Sequence, residues 1–194
     1  MLKALLLLLT PARTWNQIAL AKRGVCFNLL LFLLPLMLLC SLAEGYALVR
    51  LGAAGAYSSH LVKVPLDQAV RFEAAQLVLG LFMIFCGAQL LHWVVESFRL
   101  SSGYARSFAI IAYGYSPIFL ARFLTFVPAF SHWVTWSIGL VGSIYVLYHG
   151  VALVLQPDQT KGFGLYLMSI LILILLGGSA HLLALAVLAG RIKF

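Results

Sequence analysis

Acidic residues are nearly missing from this chain: there are five aspartates and glutamates in 194 residues, against 13 lysines and arginines. So few carboxylates leave little material for a metal-dependent centre, and no two of them are spaced for paired acid–base chemistry. No phosphate-cradling glycine loop, no HExxH and no GxSxG occurs in the sequence. An enzyme is therefore not expected, and neither is a cofactor or a metal. Three cysteines, Cys26, Cys40 and Cys86, all fall inside apolar runs. Their spacing suits neither zinc nor a secreted disulfide framework, so they read as small buried hydrophobes. Charge is scarce altogether, at 9% of residues, where soluble domains carry about 25%. The basic residues are scattered through the connections with no block of five or six. That pattern suits headgroup anchors and topology signals better than a nucleic-acid footprint, and no nucleic-acid partner is expected.

What is abundant is apolar. Hydrophobic residues make up 63% of the chain and the mean hydropathy is +1.05. A soluble domain of this size has too little interior to hide that much apolar surface, so the excess requires a bilayer. Crossing a hydrocarbon core of about 30 Å takes about 20 helical residues. Five segments reach that length: residues 24–44, 74–96, 107–126, 132–155 and 164–190. The runs are continuous, without the alternation of barrel strands. The fold class expected is therefore all-α, with five transmembrane helices in one bundle over residues 24–194.

Residues 1–23 are set apart. Their Leu-rich run ends at Thr10-Pro11, too short for a span, and no small-residue cleavage site follows. Beyond Pro11, Trp15, Ile18 and Ala19 share a face opposite Arg13, Asn16 and Gln17, as in a short amphipathic helix lying in the membrane interface. Lys3, Arg13, Lys22 and Arg23 precede the first span, which predicts a cytoplasmic N-terminus and a C-terminus on the other side. The longest connection is expected between the first two spans, from about Gly45 to Glu73.

Ionisable groups in spans are costly and are the default functional candidates. In the second span Gln89, His92 and Glu96 share one helical face. Arg99, Arg106 and His149 belong to the same predicted inner end. Such a set suits a proton or cation relay or a headgroup pocket, although snorkelling and interhelical hydrogen bonds account for it more simply. A lipid-active enzyme would need His92, Glu96 and His149 to converge in a cleft. At the outer end, Arg122 is expected to pair with Glu44 or Glu73. His181, alone in the fifth span, reads as a packing residue. Pro117 should kink the third span, because its ring displaces the carbonyl of Tyr113, with Ser116 available to satisfy the freed group.

Two stretches carry a family resemblance: AYGYSPIFLARFLTFVPAF and GSIYVLYHGVALVLQPDQTKG. They hold Tyr113 and Pro117, a closing Pro128, then Tyr145, Tyr148 and Gly150, and finally Pro157 and Lys161. Pro11, Trp15 and Ile18 add an entry segment. In order and spacing these resemble the Yip domain (Ypt/Rab-interacting protein) family, particularly its bacterial branch. The resemblance implies a five-span bundle with a cytosolic N-terminus. Eukaryotic members are associated with Rab GTPases and vesicle traffic, and carry a long polar N-terminal region. Here only residues 1–23 precede the first span, so a GTPase-binding role is not expected. The expected function is a non-enzymatic membrane scaffold or organiser in a bacterial inner membrane. Its partners would be membrane lipids and either itself or other membrane proteins. The alternative is a small transporter or channel using the kinked third span and the polar face of the second.

Overall fold

The structure, a computed structural model, describes residues 2–21, 23–54, 61–100, 102–127 and 130–189. Five helices are long and apolar enough to cross a membrane: Val25–Arg50, Leu66–Ser97, Tyr104–Phe126, His132–Leu155 and Thr160–Leu188. The fold is all-helical, as the hydropathy pattern requires. Several helices outrun their apolar segments. The second has 32 residues, about 48 Å at 1.5 Å per residue, against a hydrocarbon core of about 30 Å. Much of the expected Gly45–Glu73 connection is therefore helix. Gly45–Arg50 completes the first span and Leu66–Glu73 begins the second. Between them lies a small antiparallel ladder that pairs Ala53 with Val62 and Ala54 with Leu61.

The third span holds the centre. Every residue from Ser107 to Phe119 is buried. In its most apolar stretch 78% of residues are buried, compared with 22% for the fifth span. A helix buried on all its faces must be surrounded by other helices. Pro117 breaks this one after Gly114, and a new helical segment begins at Ser116. The Ser116 hydroxyl donates to the Tyr113 carbonyl at 2.6 Å, satisfying the group that proline leaves without a partner. A second proline, Pro35, lies in the first span. There a single widened π turn over Leu29–Leu33 precedes it, a common way for a helix to absorb such a residue.

Close packing rests on glycine at two places. A Cβ on Gly139 of the fourth span would stand 2.6 Å from the Ile118 backbone of the third. On Gly150 it would stand 2.5 Å from the Trp15 indole. Small residues at such positions are what let membrane helices approach.

That indole belongs to the N-terminal segment, which comprises two helices, Leu2–Leu9 and Pro11–Ala21. They meet in a corner where the Thr10 and Thr14 hydroxyls both donate to the Leu6 carbonyl, at 3.2 and 3.3 Å. The amphipathic helix starts at Pro11, but its apolar face is covered by protein. Trp15 is fully buried, and its Nε1 donates to the Val146 carbonyl at 2.9 Å. Leu8 reaches the level of Pro117 and Gly142, half-way along their spans. Among the cysteines, Cys40 is buried as expected, whereas Cys26 is exposed on the bundle exterior.

Gly139→Ala is expected to lower stability by about 1–3 kcal/mol through overpacking, although alanine is the better helix former. Gly24, with no atom within 4 Å of an added Cβ, is the control: Gly24→Ala should unfold like wild type in a detergent melt.

Candidate functional site

The strongest polar constellation lies towards the end of the bundle opposite the N-terminal segment. Below Pro117 the third span tightens into a 3₁₀ turn, Arg122–Phe126, with the Thr125 hydroxyl donating to the Arg122 carbonyl at 2.6 Å. Arg122 is 7% exposed, Glu44 2% and Glu73 9%. The guanidinium donates from Nε to Glu44 Oε2. Its Nη2 donates to Glu73 Oε2 at 2.5 Å and to the Ser41 hydroxyl at 3.2 Å. One arginine thereby ties the first, second and third spans. Gln76 Nε2 donates to Glu44 Oε2 at 3.4 Å, and His132 Nδ1 stands 3.4 Å from Glu44 Oε1. Gly45 keeps space for the Glu73 side chain, since a Cβ there would sit 3.3 Å from Glu73 Cγ.

Charge arithmetic makes this group distinctive. Two carboxylates face one guanidinium, which leaves one negative charge to be offset by a proton or by a protonated His132. Glu73 Oε1 is buried with no hydrogen-bond partner among the described residues. A cavity of about 60 Å³ borders Arg122, lined also by Gln76, Tyr115 and His181. His181 stacks on Trp136 at 5.6 Å and meets the edge of Trp133 at 5.1 Å, while its Nε2 is buried with no hydrogen-bond partner among the described residues.

The sequence pairs Arg122 with Glu44 or Glu73, and the geometry brings both to it. Ser41, Gln76 and His132 join this group without the sequence having assigned them to it. Helical spacing offers two of them: Ser41 is three residues before Glu44, and Gln76 three after Glu73, so each shares a face with its carboxylate.

The residues of the other end are dispersed. His92 Nε2 lies 3.4 Å from Glu96 Oε1, whose side chain is 59% exposed. The His92 ring meets Tyr104 edge-on at 6.0 Å. Gln89 is half-buried, and Arg99 and Arg106 are exposed. Arg99 takes a left-handed φ of 56° just past the helix end. His149 belongs to an aromatic group on the fourth span, with Tyr145 and Tyr148 each 5.3 Å away. No hydrogen bond or ion pair among the described residues joins Gln89, Arg99, Arg106 or His149 to the His92–Glu96 pair. Likewise, no group of three His, Cys, Asp or Glu side chains among the described residues is placed to hold a metal.

The motif residues divide between core and rim. Pro11 is buried in the N-terminal corner. Tyr113 and Pro117 occupy the centre, and the Tyr113 hydroxyl donates to Asn28 Oδ1 at 3.2 Å. Gly150 seats Trp15. Pro157 opens the next connection, where Lys161 Nζ is 3.7 Å from Asp158. Pro128 lies outside the described residues.

Removing one partner of a buried ion pair strands the others, at about 3–5 kcal/mol. Arg122→Ala is expected to destabilise by that amount in a detergent unfolding assay. Arg122→Lys should recover only part, because an ammonium lacks the planar fork that spans two carboxylates. Glu96→Ala, which removes the largely exposed partner of His92, should change stability by about 1 kcal/mol or less.

Comparison with known families matches residues 5–191, nearly the whole chain, to the Yip1 domain. No curated protein and no solved structure matches it. With five apolar helices, the third buried among the others, and a domain match of that extent, this integral membrane protein belongs to the Yip1 domain family.

Proposed function

We propose that the protein is a non-enzymatic membrane organiser that acts through lipid and helix–helix contacts. The observation that carries this reading is the position of the third span. Its buried run from Ser107 to Phe119 fills the axis along which a conducting path would have to run. The Tyr115 hydroxyl closes that axis further by donating to the Leu173 carbonyl of the fifth span at 2.8 Å. The outside, in contrast, is open and apolar. On the fifth span Phe163, Leu167, Leu171 and Leu175 recur every fourth residue and are all exposed, forming one continuous stripe for acyl chains or another helix.

We place the N-terminal end on the cytoplasmic side of a bacterial inner membrane. Among the described residues Lys3, Arg13, Arg23, Arg99, Arg106 and Lys161 collect there. On the opposite side Arg122 is neutralised inside the bundle, which removes it from the charges that act on topology. The organiser reading expects a reproducible crosslinked species, with a second copy or with one protein partner, when native membranes are treated with a short bifunctional reagent. A chain that stays monomeric and unpartnered across reagents and expression levels would end it.

A small transporter is the second reading, favoured by the unpartnered Glu73 Oε1 and by the 60 Å³ cavity that borders its partner Arg122. It predicts proton or cation flux in proteoliposomes that falls in Glu73→Gln or Glu96→Gln. Flux that is absent, or equal in wild type and both variants, removes it.

A further inference from the structure

A larger cavity lies elsewhere, at the N-terminal end, and has a volume of about 590 Å³. That is within the range of about 300–1,000 Å³ typical of small-molecule sites. Four elements enclose it: the second N-terminal helix, the starts of the first and third spans, and the end of the fourth. Its polar lining includes Arg23, Arg106, Asn28 and Gln156, and no acidic residue lines it among the described residues. Two arginines, both exposed, therefore border one space with no carboxylate among its described lining residues. A third cation is near: burial, and then the Arg23 charge, hold the Lys3 ammonium below the usual lysine range.

The cavity is built and braced from the centre of the bundle. Asn28 is 1% exposed. Its Oδ1 accepts the Tyr113 hydroxyl at 3.2 Å, and its Nδ2 donates to the Arg23 carbonyl at 3.4 Å. The amide carries two hydrogens, so a second donor is left for the cavity it lines. Arg23 is held from the side as well, with its guanidinium 4.2 Å above the Phe27 ring. Gln156 ends the fourth span at φ 46° and ψ 51°, a left-handed backbone that a non-glycine residue adopts only at a cost. At the edge, Leu20 and Leu153 supply an apolar margin, and Leu20 is 81% exposed.

We propose that this cavity binds an anionic phosphate group, carried by a phospholipid headgroup or free in solution. Guanidinium forks and amide donors match phosphate oxygens, and hydrogen bonds to a charged group are the strong ones. Basic pockets between membrane helices are places where anionic headgroups are held. The site gives the lipid contacts of the proposed organiser a location and rests on that reading to this extent. Its test is headgroup selectivity and not association between chains, so either can fail alone.

Delipidated protein in detergent is offered phosphatidylglycerol and phosphatidylcholine in equal amounts, and bound lipid is counted by native mass spectrometry. Wild type should retain phosphatidylglycerol preferentially. Arg23→Ala and Arg106→Ala should each reduce that retention by about tenfold or more, as expected for the loss of a charge-assisted contact. Arg13→Ala removes the same charge from a residue of the second N-terminal helix that does not line the cavity and should leave it unchanged. Equal retention of the two lipids, or an equal loss in all three variants, overturns the site. In a second arm, inorganic phosphate is titrated against the melting temperature. A rise in wild type that is lost in both cavity variants assigns the site to the free anion. A rise equal in wild type and variants counts against the site. A third measurement needs no variant: photoactivatable phosphatidylglycerol should label wild type mainly within residues 16–28 and 103–109. Label spread evenly over the apolar exterior overturns the proposal.

Discussion

A helix enclosed by other helices cannot turn its polar groups to water, and in a bilayer lipid offers them nothing. The third span lives under that constraint, and much of the bundle can be derived from it. The Ser107 hydroxyl has no hydrogen-bond partner among the described residues, but several other polar groups of this span find one on a neighbour or on the span itself, and so become staples. Tyr113 reaches the first span through Asn28. Tyr115 reaches the fifth through the Leu173 carbonyl. Arg122 reaches the first and second through Glu44 and Glu73. Even the break at Pro117 is closed locally, by Ser116. The hydrophobic effect does little to hold helices together inside hydrocarbon. Close packing and hydrogen bonds of this kind carry the association.

Legibility in the sequence followed the same physics. Spans are readable because bilayer thickness sets a length that hydropathy reports directly. Helix ends are not, because outside the hydrocarbon a helix needs no apolar signature. That is why Gly45–Arg50 and Leu66–Glu73 read as a connection. Arg122 and its carboxylates were legible because a buried charge demands an opposite one. Ser41 and Gln76 were not, since a neutral side chain leaves no such imbalance to resolve. Sharing a face within the second span put Gln89, His92 and Glu96 on one line. It carried no information about which face of the fourth span His149 would occupy. For the N-terminal helix, the amphipathic period showed that one face would be covered, but not that Trp15 would be covered by Gly150.

The two ends of the bundle differ in kind. One end is closed, with its buried charges engaged by one another around Arg122. At the other, basic residues line an open cavity and nothing acidic answers them. A protein with a sealed interior and a receptive rim is suited to reading its surroundings more than to moving material through itself. The organiser reading is consistent with that asymmetry.

The docking of Trp15 on Val146 has a consequence for how the molecule is made. The indole and the carbonyl it binds are 131 residues apart. At synthesis rates of about 5–20 residues per second, that interval is on the order of ten seconds. The N-terminal corner is translated before any of the five spans, but its seat exists only after the fourth span has been inserted. Throughout that interval its leucine-rich surface has no place in its own bundle. Biogenesis therefore runs against chain order at this point, and assembly cannot finish until this early segment meets a late one.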